Sequence, residues 1–429
     1  MSRPTEELPA LPTPRLDECP FGPAPEMTRL RDTAPVTRVK CPTGITAWLI
    51  TRYADVREVL GDSERFSSRP GQAAHVLAHM NPDRPVAEGE FTRMDGPAYQ
   101  RFRHHLGPEI GMPRRLLELR PVVGQIVDER IDALAAAGRS AEFYGDFAVP
   151  VTTATIGGLL GVPYSDRGLF HDAAAAMFGS ATSEKGIRAS TEPLFRYVHG
   201  LVQDRRKNPG DDAISRMIGR SAASAEPFSD TELVMMSAGL LISGFDTTAT
   251  TMTHGLLALL VDSRDSGRSG HSGRSGQSRE WERLRADPSL IPAAVEEFAR
   301  YFGGAAGLTR EVTRDTEIGG HPLAKGDYVV LAVQTADRDP AVFEDPERLD
   351  VGRRPEGHLG FGYGPHQCVG QQTARLEMSV VLETLTRRIP SLRLAVDLAD
   401  VPFKTGTPVV GPAALAVEWD AVLPAGEGR

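Results

Sequence analysis

Hydrophobic positions recur at helical spacing over most of this 429-residue chain, interrupted by two stretches that alternate as strands do. Near the start, Val36–Val39 and Ala47–Thr51 read as short strands around the turn Cys41-Pro42-Thr43-Gly44. Tyr53–Leu60 then turns helical, with Val56, Val59 and Leu60 on one face. Residues 67–93 are rich in Gly, Ala and Pro without sustained periodicity, which predicts a loop lying over something. From Pro97 to about Leu160 the spacing is helical again, with Val122, Ile126, Ile131 and Leu134 recurring every three to five residues. Helical character continues, with breaks, to about Met217.

The most readable helix start lies further on. Ser229 and Glu232 form a capping-box pair, and Phe228 is placed to staple onto Leu233. From Asp230 to Val261 the pattern predicts a single central helix of 32 residues, about 48 Å long. That length would also cross a bilayer. Asp246, His254 and the threonines at 247, 248, 250, 251 and 253 interrupt its apolar run, so a helix buried in a large core is the reading adopted. Residues 262–280 follow as a near-repeat of Ser-Gly-Arg and Ser-Gly-His with nothing to bury, either a flexible surface insertion or an interdomain linker. Residues 281–303 are helical, and 308–333 alternate around Gly319-Gly320 and Lys325-Gly326-Asp327. After Cys368 a helix returns with Met378, Val381, Leu382, Leu385 and Ile389 in one stripe.

Composition narrows the function. Hydrophobic residues make up 40% and charged residues 24%, ordinary for a soluble protein. With 48 Lys+Arg against 57 Asp+Glu the net charge is −9, a poor basis for holding nucleic acid or an anionic membrane. Three cysteines, Cys19, Cys41 and Cys368, are too few for a disulfide scaffold and match no zinc spacing. The first thirty residues are proline-rich, with no apolar stretch resembling a secretory signal. These features predict a cytoplasmic protein that binds neither membrane nor nucleic acid. Length alone suggests two or three domains.

The strongest chemical signal is Phe361-Gly362-Tyr363-Gly364-Pro365-His366-Gln367-Cys368-Val369-Gly370. A cysteine here follows a glycine-punctuated loop and opens a helix, where the helix dipole and free N–H groups favour a thiolate. The glycines allow turns and let a flat ligand approach the backbone. Cys19 and Cys41 lack such a setting and read as small buried hydrophobes. Glu297 and Arg300 stand at i and i+3, so their charges can meet on one helix face. In Ser243-Gly244-Phe245-Asp246-Thr247-Thr248, an ionisable residue sits inside an apolar helix, where it needs a partner or a task. His75 and His79 have an i,i+4 spacing without a third ligand and read as loop histidines.

In these motifs the sequence resembles the cytochrome P-450 family of haem-thiolate monooxygenases. The cysteine loop matches the family's Phe-Gly-x-Gly-x-x-x-Cys-x-Gly signature completely. The resemblance implies a mainly α fold with small β-sheets and a long central helix over haem b. Cys368 would be the axial iron ligand, with Phe361 beside the sulfur and Gly362, Gly370 and Gly244 against the cofactor. Arg103, Arg310 and His366 would hold the haem propionates, and Tyr99 stands where many relatives carry histidine. Glu297 and Arg300 would join Arg348 in a structural cluster. Thr247 would serve as proton donor on the haem side, supplied from solvent through Asp246.

The resemblance spans roughly residues 20 to 420, and motifs so far apart imply one domain, with 262–280 as a surface insertion. The implied activity is insertion of one oxygen atom from O2 into an organic substrate, by a monomer that takes electrons from ferredoxin or flavodoxin and a reductase. Oxidative coupling or ring formation would reuse the same residues, and a haem-thiolate sensor is the alternative without turnover. The Asp246-Thr247 pair favours an enzyme, since a binder needs no proton delivery. The resemblance lines the pocket from residues 73–92, 165–200, 239–247, 305–309 and 405–410. Small residues at 303–307 and 405–408 predict room for a bulky macrolide, terpenoid or peptide.

Overall fold

The computed structural model describes residues 8–13, 20–69, 87–178, 183–261, 279–304, 308–405 and 407–426. The segment at 262–278, most of the loop before residue 87, the stretch 305–307, Gly406, Cys19, His75 and His79 lie outside them.

In chain order the first helices are α1 (Pro25–Thr33), α2 (Tyr53–Gly61), α3 (Gly96–Ile110), α4 (Pro113–Ala137) and α5 (Val149–Leu160). Then come α6 (Gly168–Phe178), α7 (Glu184–Lys207), α8 (Ala213–Ala222), α9 (Asp230–Gly244) and α10 (Asp246–Leu260). The last are α11 (Arg279–Ala286), α12 (Ile291–Phe302), α13 (Val333–Ala336) and α14 (Gln371–Arg388). The strands are β1 (Val36–Lys40), β2 (Thr46–Ile50), β3 (Phe66–Ser67), β4 (Ser140–Glu142) and β5 (Leu308–Val312). They continue with β6 (Thr316–Ile318), β7 (His321–Leu323), β8 (Tyr328–Leu331), β9 (Arg393–Leu394) and β10 (Ala416–Glu418).

The larger sheet runs β1-β2-β8-β5-β3. Gly44, at φ 88°, closes the β1–β2 hairpin, a left-handed position that favours glycine. β2 then pairs in parallel with β8, Trp48 opposite Val329, so the hairpin is completed by a strand from far along the chain. β4, β10 and β9 form a second sheet that ties the C-terminal residues to the start of α5, and β6–β7 is a separate hairpin.

Two helical cores flank the site. One gathers Val123, Val127 and Ile131 of α4, Leu256 and Leu257 of α10, Trp281 of α11, Phe298 of α12 and Val381 and Leu385 of α14. The other gathers α3, α5, α6, α7, α8 and α9 around Phe102, Phe170, Val198, Leu233 and Leu241. Full burial of a side chain such as Phe298 contributes about 1.5–3 kcal/mol. α4 turns its inner face one residue away from the predicted one. Val123, Val127 and Ile131 are buried and Val122 is 49% exposed, because an i,i+4 stripe outcompetes the looser spacing through Val122 and Ile126.

α9 begins as expected, with Ser229 Oγ accepting from the Glu232 N–H at 3.1 Å and Glu232 Oε2 accepting from the Ser229 N–H at 2.8 Å. The predicted single helix over 230–261, however, is two, parted at Phe245 (φ −108°, ψ −53°). The hydroxyls of Ser243 and Thr247 donate back to the carbonyls of Gly239 and Ser243, at 2.7 and 2.9 Å, which bends a helix at that point. Asp230–Leu260 is long and apolar enough to cross a membrane, yet most of it is buried inside the protein.

Candidate active site

Cys368 sits between a tight loop and α14. The loop closes through the Gly362 N–H to Leu359 O at 2.7 Å and the Cys368 N–H to Phe361 O at 2.8 Å. Gly362 and Gly364 have φ of 72° and 71°, and a Cβ on Gly364 would stand 2.7 Å from Leu60 O, so the loop lies directly against the end of α2. Burial raises the Cys368 thiol; the N–H groups of Gly370 and Gln371 and the charges of Arg103 and Arg375 pull the other way without prevailing. The helix-terminus N–H groups thus favour the thiolate while burial opposes it. The residue lies deep in the protein while its side chain keeps accessible surface, so the thiol is not packed against core atoms. Phe361 is half-buried, with the Arg375 guanidinium 4.4 Å over its ring.

Cations gather around this loop. Arg103, from α3, donates to the carbonyl of Gln367, immediately before the cysteine, and lies 3.4 Å from the Tyr99 hydroxyl. Tyr99 stacks on His366, ring centroids 4.1 Å apart. His366 Nε2 meets Asp95 Oδ1 at 3.0 Å. Burial by itself would raise the Asp95 carboxyl, but hydrogen bonds from His366, Ser67 and Ser68 outweigh it and hold it below the usual range. Arg310, on β5, is only 6% exposed and donates to the Thr309 carbonyl at 2.7 Å. Among the described residues no carboxylate comes within ion-pair distance of it, and burial pulls its guanidinium down.

A second polar cluster forms at the break between α9 and α10. Thr247 is exposed, and its hydroxyl bonds back along the helix. Asp246 points elsewhere: its Oδ1 accepts from Lys404 Nζ at 2.6 Å and from the Tyr144 hydroxyl. Burial, then the neighbouring Asp246 charge, raises the Tyr144 phenol above the ordinary tyrosine range. Gly244 was placed at the cofactor by resemblance, but a Cβ there would stand 2.9 Å from Ile156 Cγ1, so its smallness lets α9 close on α5. Gly303 and Gly304 are likewise filled by neighbours. A Cβ on Gly303 would lie 2.1 Å from Ala299 O and one on Gly304 2.7 Å from Val333 Cγ1, so neither leaves substrate room.

The acid–arginine cluster is present with a different third member. Arg300 grips Glu297 through two nitrogens at 2.7 and 2.8 Å, both residues fully buried. Arg353 completes it, Nε to Glu297 Oε1 at 3.1 Å. Arg348, the residue expected there, is 45% exposed and pairs with Asp345 and Asp350 on the surface. Both arginines lie in one short loop, and only the path of the chain past Asp350, whose N–H also reaches Glu297 at 3.0 Å, decides which turns inward. Sequence reasoning also missed Tyr144, Thr250, Lys404 and Asp95. Asp95 was within reach, immediately before the helix that carries Tyr99 and Arg103, whereas Lys404 and Tyr144 carry no local signal.

A deep cysteine with an unpacked sulfur and the charges of Arg103 and Arg375 near it fits the thiolate centre of a haem-thiolate protein. A family model for cytochrome P450 matches residues 180–390. The chain is 34% identical to cytochrome P450-SU2 of Streptomyces griseolus, over 95% of this chain and 96% of the relative. It is 35% identical to 20-oxo-5-O-mycaminosyltylactone 23-monooxygenase of Streptomyces fradiae, over 94% and 90%. The crystal structure of CYP105P1 in complex with filipin I superposes with a TM-score of 0.86 at 38% identity, covering 97% of this chain and all of that one. Cytochrome P450 MoxA from Nonomuraea recticatena gives 0.81 at 36%, covering 96% and 98%. The chain belongs to the cytochrome P450 family and is a monooxygenase. The family carries haem on a cysteine thiolate, and the residues here fit that group: Arg310 is a buried cation with no carboxylate at ion-pair distance among the described residues, Asp95 acting on it only from further off, and Cys368 offers a sulfur free of core packing.

Proposed function

We propose that this chain is a haem b monooxygenase, with Cys368 as the iron ligand, that inserts one oxygen atom into a bulky natural product by hydroxylation or epoxidation. The observation that carries the reading is the convergence of Arg103, Tyr99 and His366 on the loop of Cys368, with Arg310 buried and, among the described residues, in no ion pair. Bound haem supplies the redox chemistry that activates dioxygen, which the side chains alone do not have. Arg103, Arg310, His366 and Tyr99 would hold its carboxylates by charge and hydrogen bonds. Thr247 would hand on protons at the haem side and Asp246 would bring them from the far side of the helix.

Relatives support the substrate class. Beside the 20-oxo-5-O-mycaminosyltylactone 23-monooxygenase, they include a vitamin D3 dihydroxylase and a pentalenic acid synthase. Electrons would come from ferredoxin or flavodoxin with its reductase, and the protein would work as a cytoplasmic monomer. Contacts that reach from Asp95 to His366 and from Asp246 to Lys404 support a single domain. The reading is tested by replacing Cys368 with serine: the thiolate-type spectrum of the reduced carbon monoxide complex must disappear. An unchanged spectrum overturns it.

A further inference from the structure

Four polar side chains from three distant parts of the chain meet behind the helix break. The Lys404 ammonium has three hydrogens and three acceptors: Asp246 Oδ1 at 2.6 Å, Thr250 Oγ1 at 2.7 Å and the Tyr144 oxygen at 2.8 Å. Its side chain is only 14% exposed and that of Asp246 13%, so solvent screens the pair weakly. Burial pulls the lysine down and the Asp246 charge pulls it back up. Lys404 is itself held. Its N–H donates to Gly411 O at 2.9 Å, and Phe403 bridges Pro412, so Phe403-Lys404 pairs with Gly411-Pro412. A Cβ on Gly411 would stand 2.4 Å from Thr250 Cγ2, so the far arm of this pair presses directly on α10. The lysine thus reaches from this paired segment to the first and second turns of α10, at Asp246 and Thr250, with Thr247 between them.

We propose that Lys404 is a positioning residue: it fixes the Asp246 carboxylate and the first turn of α10, and through them the placement of Thr247. The C-terminal segment thereby sets the geometry of proton delivery. This rests on the proton duty proposed for Asp246 and Thr247, and its test separates the two claims. In the haem-loaded protein, Lys404→Met raises amide hydrogen exchange at residues 247–250 by about tenfold, a typical interaction size for polar groups in contact. Product formed per reductant consumed falls by about threefold, while the affinity for substrate, read by spectral titration, changes by less than about twofold. Because the lysine acts through the carboxylate, adding Lys404→Met to Asp246→Asn lowers the product ratio no further. Parental exchange in Lys404→Met, or an equal further loss of product ratio in the Asp246→Asn background, overturns the proposal. Where Lys404→Met does not accumulate folded, Lys404→Gln carries the same measurements. If the parent protein forms no oxygenated product with any substrate, the monooxygenase reading of the site fails, and the exchange data still decide whether Lys404 holds α10.

Discussion

Replacing Arg353 with methionine removes a guanidinium 3.1 Å from Glu297 that also donates to the carbonyls of Glu344, Asp345 and Arg348. Glu297 is fully buried, and Arg353 keeps only 12% of its side chain exposed. Stripping one partner from a buried pair costs about 3–5 kcal/mol when the remaining charge is left bare. Here Glu297 keeps both bonds to Arg300 and the Asp350 N–H, and methionine preserves the packing of the stem. The expected loss is therefore nearer 2–3 kcal/mol, about a 30-fold to 150-fold shift toward unfolding. Arg348→Met removes two surface pairs from a side chain that is 45% exposed, for less than about 1 kcal/mol. Urea unfolding of the haem-loaded proteins, followed by tryptophan fluorescence and haem absorbance, compares the two midpoints at equal slope. Equal shifts, or a larger one for Arg348→Met, would refute the assignment of Arg353 to the cluster.

Thr247→Val removes the hydroxyl at the break without touching the Lys404–Asp246 pair, so substrate binding and reductant consumption persist while most oxygen leaves as peroxide; unchanged yield of product per reductant sinks the role given to Thr247. The depressed Asp95 carboxyl contributes stability that is fully present above its unfolded value of about 3.9 and is lost as pH falls through the lower folded value. Asp95→Asn therefore unfolds more easily than the parent at pH 7, and the gap in urea midpoints narrows in acid below about pH 4; a gap that is constant with pH contradicts this.

The fold class, the cysteine loop and the Glu297–Arg300 pair were legible because each is local: a periodicity, a ten-residue motif, an i,i+3 spacing. What failed was rotation and long-range choice. The Val122 and Val123 stripes differ by one residue, and only packing against α14 decides between them. Arg348 and Arg353 are equally cationic in sequence, and the course of a short loop sends one inward. The continuous apolar run from Asp230 hid a break made by hydroxyls bonding backward and by Ile156 closing on Gly244. Lys404 and Tyr144 reach Asp246 across 158 and 102 residues, and nothing near either one announces the partner.

The parallel pairing of β2 with β8 has a consequence for how the chain is made. Trp48 and its partner Val329 are separated by about 280 residues, so the β1–β2 hairpin emerges from the ribosome long before its neighbour exists. At roughly 5–20 residues per second the wait is on the order of 15–60 s. Throughout it the edge of β2, carrying Trp48 and Leu49, is a ready template for other strands. The β1–β2 hairpin therefore spends synthesis with that edge unpaired, and slowing elongation between it and β8 prolongs the exposure.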